Sequence, residues 1–396
     1  MRRLPGVIAT AALLTLAAAC GSSDSGSSSG GDDASKPIVI GAAVAQSGGF
    51  ELYDDGQTAG MKYAIDKINA AGGVKGRKFE LVTADHKTDP AQVQTAAQDV
   101  LDKGADVVVT TVDYDFGAPA ALAARKAQKV SISGAGATEF GLKGLGPLHF
   151  NVYQGTPTES VSMAQLAYTT QKLRRPYLLE DTTIQYSKSL CDEFEKAWDK
   201  IGGPGTIAGK DTFKNSDPSI ASQVSKVKAS QADFVVLCSY PPGGASAIRQ
   251  LRTAGVGTPI FGGSAFDGTF WTKAVPDLSN FYHPAMTSSA GDDPTKAVND
   301  LLSAVKFSGS ASYVMFGYEV VETIKRGIEI AGTADGPALA KAIESFKDEP
   351  LLTGKTSYSA TCHAPIDRPL AMMQIQQGKA SFLEYSKPTD VPDTAC

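Results

Sequence analysis

The sequence predicts an α/β protein built from two doubly wound parallel-sheet lobes. Three observations predict it. Short β-rich runs alternate with helical periodicity from Pro37 onward, the alternation occurs in two successive blocks, and a mostly helical third follows them. Strand–helix alternation at this spacing favours parallel strands joined by right-handed crossovers. The chain is long enough for two separate cores.

In the first block, Ile38-Val39-Ile40-Gly41-Ala42 reads as a buried strand. Met61, Ala64, Ile65 and Ile68 follow helical spacing, and Gly72-Gly73 ends that helix. Phe79 to Val82 is a second strand. Asp89-Pro90 is a cap followed by proline at the first helical position. Val107 to Val109 and Val130 to Ser133 are further strands, with an Ala-rich helix from Ala118 to Gln128 between them.

The second block repeats the pattern. Strands are expected at Tyr177–Leu179, Thr206–Phe213, Phe234–Cys238 and Pro259–Gly262. Helices are expected at Ser187–Ile201, from Asp217-Pro218 to about Ser230, and at Ser246–Ala254. The final third predicts helices at Thr295–Phe307, Ala311–Ala331 and Gly336–Phe346. A hairpin of Met372–Gln376 and Ser381–Glu384 follows, turned at Gln377-Gly378-Lys379. Helices that come after the second lobe must return to cover a sheet, so the chain crosses between the lobes several times.

The N-terminus carries Met1-Arg2-Arg3, an apolar run from Leu4 to Ala19, and then Cys20. A cationic head, a short apolar stretch and small residues before a break mark an export signal, and the run is too short and Ala-rich to span a bilayer. Leu16-Ala17-Ala18-Ala19-Cys20-Gly21 resembles a bacterial lipobox, with Ala17 where leucine usually stands. Gly21 to Ser35 is almost wholly Ser, Gly and Asp, a coil that suits a tether. The expectation is an exported protein held to the outer face of the cell membrane by lipid on Cys20.

The whole chain has a formal charge of −5, and removal of Arg2 and Arg3 leaves about −7. No basic stripe with interleaved aromatics occurs, which argues against nucleic acid. Beyond Cys20, the cysteines are Cys191, Cys238, Cys362 and Cys396, with no CxxC pair. An oxidising compartment allows disulfides, and Cys362 and Cys396 are placed to bridge the tail. Cys238 reads as a buried strand residue; Cys191 either pairs with it or stays free.

Catalytic signatures are missing. No G-x-S-x-G elbow sits between a strand and a helix, and no Walker loop occurs. Gly134-Ala135-Gly136 follows a strand, but Glu139 stands where a dinucleotide site needs its third glycine. The four histidines, His86, His149, His283 and His363, lack metal-ligand spacing. The expectation is a non-enzyme without cofactor or metal.

Ligands of open parallel sheets bind beyond the carboxyl ends of the strands. Those positions hold Gln46 to Tyr53, Val112 to Gly117 and Gly134 to Glu139 in the first block. In the second they hold Glu180 to Tyr186, Ser239 to Pro242 and Ser264 to Asp267. Glycines, hydroxyls and carboxylates suit turns on their own account. The aromatics do not, so the set as a whole points to a binding site for a small molecule.

These residues carry a family resemblance. Ser47-Gly48 through Tyr53 to Gly60-Met61, then Ile68-Asn69-Ala70-Ala71-Gly72-Gly73-Val74-Lys75-Gly76-Arg77, is similar to the opening of the periplasmic leucine/isoleucine/valine-binding family. These are the type I solute receptors of ABC importers. Asp85, Asp89-Pro90, Ser133 with Gly136-Ala137-Thr138, and Gln250 to Gly255 extend the likeness over nearly the whole mature chain.

The resemblance implies the type I periplasmic-binding-protein fold with a three-crossing hinge, at Asn151–Gln154, His283–Thr287 and Leu352–Thr356. It divides the chain into a signal peptide (1–19), an anchor and linker (20–36), lobe 1 (37–152 plus 286–353), lobe 2 (153–285 plus 354–387) and a tail (388–396). It implies a monomer that captures a small polar ligand, amino acid or amide, and delivers it to membrane permease subunits. The implied ligand residues are Tyr53, Tyr114, Gly136, Ala137, Thr138, Tyr186, Tyr240 and Asp267, with Asp267 taking an ammonium. Asp113 and Asp115 stand where amino-acid binders carry serine, and their charge disfavours a plain carboxylate ligand. The same fold also serves as a sensing receptor, and an aromatic acid is a further ligand class.

Overall fold

The computed structural model describes residues 36–396. The expected leader, Cys20 and the linker as far as Ser35 lie outside the described residues. The first lobe opens with β1 (Ile38–Val44), α1 (Glu51–Ala70), β2 (Phe79–Asp85), α2 (Pro90–Asp102) and β3 (Val107–Thr110). It continues with α3 (Tyr114–Lys126), β4 (Val130–Ser133), α4 (Leu142–Leu145) and β5 (His149–Asn151). Its five strands are all parallel, in the order β2-β1-β3-β4-β5. Every residue of β3 and β4 is buried, as strands covered on both faces must be.

The second lobe begins with α5 (Gly155–Gln165), β6 (Pro176–Asp181), α6 (Gln185–Ile201), β7 (Gly209–Phe213) and α7 (Ala221–Ser230). Next come β8 (Phe234–Cys238), α8 (Gly243–Thr253), β9 (Ile260–Gly262) and β10 (Phe281–Ala285). The chain then forms α9 (Lys296–Val305), α10 (Ala311–Ala331) and α11 (Gly336–Glu344). The short hairpin β11 (Glu349–Leu351) and β12 (Gly354–Thr356) precedes β13 (Leu370–Gln376) and β14 (Lys379–Ser386). The second sheet runs β14-β13-β10-β9-β8-β6-β7, with β13 and β14 antiparallel.

The local signals succeed where the side chain has no competing partner. Asp89 caps α2 through the Ala91 N–H, with Pro90 following, as expected. Asp217 does not cap α7: its carboxylate turns back to the Lys214 N–H, and α7 starts at Ala221. The strand expected from Thr206 begins at Gly209. Three elements carry no usable sequence signal. β5 is three residues long, β10 contains His283 and Pro284, and α5 begins on Gly155-Thr156-Pro157.

Helix α10 returns to the first lobe and lies against α1. Gly60 and Gly317 permit that approach: a Cβ on Gly60 would stand 1.9 Å from the Val314 carbonyl, and one on Gly317 1.8 Å from that of Gln57. This contact brings the N-terminal turns of both helices to the same end of the lobe. Cys191 is bonded to Cys238, tying α6 to β8, and Cys362 is bonded to Cys396.

Three crossings join the lobes. The first, 152–154, connects β5 to α5, and the second leaves β10 for α9. The third falls later than the expected Leu352–Thr356. His363 is still attached to the first lobe, where its carbonyl accepts the Asn151 N–H, so the chain crosses between residues 364 and 369. Arg368 sits there with 2 % exposure. Its guanidinium donates to Glu319 Oε2 of α10 at 2.8 Å, to Thr356 Oγ1 at 2.9 Å and to the Val152 carbonyl at 2.6 Å. Glu319 Oε1 accepts from the Thr353 N–H and hydroxyl. One buried ion pair thus joins the first crossing, the third crossing and α10.

Candidate ligand-binding site

Strand order reverses once in each parallel array: between β1 and β3 in the first sheet, and between β6 and β8 in the second. At such switch points the connecting segments diverge and leave a crevice beyond the strand ends. The two crevices face each other here. Phe50 and Tyr53 follow β1, Val112 and Asp113 follow β3, and Gly134 and Gly136 follow β4. Across from them stand Ile184 and Tyr186 after β6, Tyr240 after β8, and Ser264 and Ala265 after β9. Tyr153 from the first crossing and Tyr313 and Phe316 from α10 close one end. The free space left between these walls in the closed cleft is only about 20 Å³, roughly enough for one water, so a ligand enters only when the lobes part.

The lobes are closed on each other. The Gln185 N–H donates to Asp115 Oδ2 at 2.7 Å, and Gln185 Nε2 and Ser189 Oγ donate to the Glu139 carboxylate at 2.9 and 2.8 Å. The Phe50 and Tyr240 rings stack across the gap at 5.9 Å. Four lining rings form a chain of contacts: Tyr53 with Tyr313 at 5.0 Å, Tyr313 with Phe316 at 5.2 Å and Phe316 with Tyr153 at 5.0 Å.

The family model for periplasmic binding proteins matches residues 37–380. The chain belongs to this family. A Leu/Ile/Val-binding protein of Rhizobium johnstonii is 28 % identical over 331 residues, covering 83 % of this chain and 89 % of its own. The branched-chain amino acid substrate-binding protein LivJ of Streptococcus pneumoniae, solved with isoleucine, superposes with a TM-score of 0.77 at 22 % identity, over 89 % of this chain and all (100 %) of its own. A solute-binding protein of R. palustris solved with benzoate gives a TM-score of 0.74 at 18 % identity, over 91 % of this chain and 99 % of its own. Periplasmic binding proteins are extracytoplasmic solute receptors rather than enzymes. Among the described residues, no helix is long and apolar enough to cross a membrane.

Within this periplasmic binding protein, Tyr53, Gly136, Tyr186 and Tyr240 line the cavity. The other four residues expected there are placed differently. Tyr114 lies in the first turn of α3 and packs edge-on against Phe140 at 6.0 Å. Ala137 is buried behind the wall, and the Thr138 hydroxyl is paired with Thr156 Oγ1 of α5 at 2.9 Å. Asp267 is committed to α10 instead of an open ammonium pocket. Its Oδ2 accepts from Ser310 Oγ at 2.7 Å and the Ser312 N–H at 2.9 Å, capping α10 from the opposite lobe.

Two of the buried carboxyl groups near the cavity bear on its chemistry. Asp113 caps α3 through the Asp115 and Phe116 N–H groups. Burial, then the neighbouring Asp115 charge, push its carboxyl up to about 8. Glu159, on α5, lies behind Ser264 and Tyr186 with 0 % exposure. Its Oε2 accepts from the Ser264 N–H at 2.9 Å and the Tyr186 hydroxyl at 3.0 Å, and its Oε1 from Ser264 Oγ at 2.9 Å. Burial raises its carboxyl, and those hydrogen bonds oppose the rise. Among the described residues no Lys, Arg or His lines the cavity. Glu159, Tyr153, Tyr313 and Phe316 escape a reading of strand ends because they arrive on helices and a crossing. No local motif announces them.

Proposed function

We propose that this periplasmic binding protein is the receptor of an ABC importer and captures a small ligand with a nitrogen donor and an apolar or aromatic body. An amino acid, an amine or an amide fits this description. One observation carries the reading. The closed cleft buries the Glu159 carboxylate beside the raised carboxyl of Asp113, and its lining contains no basic side chain among the described residues. An anion without a donor would enter an acidic, low-dielectric space uncompensated. A nitrogen donor would find acceptors, and the lining rings would cover the rest of the ligand.

Ligand first meets one lobe, and the second closes by hinge motion at the three crossings. Closure is favoured by contacts that exist only in the closed state, such as those of Gln185 and Asp267. A permease in the membrane then recognises the closed shape. Lipid on Cys20 and the coil after it would keep the monomeric receptor beside that permease.

Calorimetry with matched compounds tests the ligand class. Isoamylamine, isovaleramide, isovalerate and leucine share a branched body, and phenethylamine, phenylacetamide and phenylacetate share an aromatic one. The donor-bearing compounds should bind at least tenfold tighter than isovalerate and phenylacetate. Binding of the bare acids alone would overturn the reading. Palmitate labelling lost in Cys20→Ala would establish the anchor.

A further inference from the structure

Glu159 is an unusual group to find inside a protein. It is fully buried on the first helix of the second lobe, and no cation pairs with it among the described residues. Its three hydrogen bonds come from neutral donors, two from Ser264 and one from Tyr186. A buried carboxylate without a counter-charge is costly, and neutral donors offset only part of that cost.

Its position shows what else it faces. A Cβ built on Gly136, in the wall of the first lobe, would stand 3.4 Å from Glu159 Oε1. A Cβ on Gly263, in the second lobe, would stand 2.9 Å from Oε2. The carboxylate therefore lies at the seam where the lobes meet, at the back of the cavity. The Tyr186 ring covers Gly136, with Cε2 2.5 Å from that Cβ position, and its hydroxyl occupies the mouth of the carboxylate. Beside it the Tyr153 hydroxyl, 1 % exposed and in the cavity wall, faces Glu159 and Ser264 without a well-formed hydrogen bond to either. A buried hydroxyl without a well-formed hydrogen bond, beside a buried carboxylate without a counter-charge, is an incomplete polar site. The faces of Tyr153, Tyr313 and Phe316 border it, and aromatic faces attract organic cations.

We propose that Glu159 is the specificity residue for the ligand's ammonium group, and that the Tyr186 hydroxyl and Ser264 hold its place while the cleft is empty. The proposal rests on the donor-ligand reading above and narrows it. The ammonium replaces the Tyr186 hydroxyl at Glu159, Tyr153 accepts one of its N–H groups, and the apolar body lies along Tyr313 and Phe316. An amide or alcohol of the same shape supplies donors but no charge, so the buried carboxylate stays uncompensated.

The test uses wild type, Glu159→Gln and Ser264→Ala, with isoamylamine, isovaleramide, isoamyl alcohol and leucine as probes in calorimetry at pH 7. Wild type should prefer isoamylamine to isoamyl alcohol by at least tenfold. Glu159→Gln should weaken isoamylamine and leucine by at least tenfold and change the alcohol less than twofold. Ser264→Ala removes a competing hydroxyl donor from Glu159, so the amine should bind at least as tightly as in wild type. That variant keeps the test alive if Glu159→Gln does not fold, because a loss of amine affinity in Ser264→Ala would overturn the proposal. Equal binding of amine and amide, or unchanged amine affinity in Glu159→Gln, overturns the ammonium role and leaves the receptor reading standing. If no probe binds wild type, the donor-ligand reading falls and the ammonium role falls with it.

Discussion

The hinge and the cleft each bury a carboxylate completely and treat it in opposite ways. At the hinge, Glu319 meets the Arg368 guanidinium at 2.8 Å, and backbone, Thr353 and Thr356 satisfy the remaining atoms of the cluster except Arg368 Nε. In the cleft, Glu159 has three neutral donors and no ionic partner among the described residues. The difference separates a charge whose partner is built into the chain from one whose partner must come from outside. The hinge pair belongs to the fold, because each half makes the other affordable. The cleft carboxylate has no such partner within the described residues, and the ligand's ammonium is proposed to supply one.

Breaking the hinge pair should have the largest effect. Arg368→Met leaves Glu319 buried and uncompensated and should cost about 3–5 kcal/mol in urea unfolding. Adding Glu319→Leu should recover most of it. A cost under about 1 kcal/mol for Arg368→Met would show that the pair does not hold the crossings together. By contrast, Glu159→Gln removes an uncompensated charge while keeping an acceptor, and its effect belongs at the bottom of this series.

The pH dependence sharpens the contrast next. Burial raises the Glu159 carboxyl, and Asp113 is pushed up to about 8. Between about pH 3.8 and 8 the raised Asp113 carboxyl holds a proton that the unfolded chain has already released. The stability it confers is therefore full below about pH 3.8 and lost as pH rises towards 8. Each such proton contributes a slope of at most about 1.4 kcal/mol per pH unit. The melting temperature should fall between pH 5 and pH 8, and Asp113→Asn should flatten that fall. An equal fall in the variant would remove Asp113 from the account.

Asp267 lies between the two extremes. It has no ion pair among the described residues, but Ser310 Oγ and the Ser312 N–H are fixed on it. Asp267→Ala should cost about 1–3 kcal/mol by exposing two donors that lose their acceptor. It should also widen the cleft in small-angle scattering, because this contact joins the lobes. No change in either measurement would mean that the contact does not support closure. The smallest effect should be Glu159→Gln, within about 1 kcal/mol of wild type. A loss as large as that of Arg368→Met would erase the distinction between the two carboxylates.

Much of the fold was legible because it rests on local chemistry. The short, β-branched apolar runs at Val107 and Phe234 read as strands covered on both faces, and Asp89-Pro90 starts α2 where expected. The illegible elements depend on neighbours. β5 is three residues whose pairing comes from β4, and β10 accommodates Pro284 because its pairing with β9 ends at Tyr282, two residues before the proline. Half of the expected ligand residues reach the cavity because strand ends in a doubly wound sheet point there. Asp267 and Thr138 do not, because nearby Ser312 and Thr156 claim them first.

The sequence by itself determined the alternation of strands and helices, the two-block organisation and the family likeness, since periodicity and turn chemistry act over a few residues. Tertiary structure decided which charges have partners. Glu319 and Arg368 lie far apart in the chain, and Glu159 and Ser264 further still, separated by 105 positions. Whether a buried carboxylate is neutralised depends on atoms within a few ångströms of it, and only the folded chain brings those atoms together.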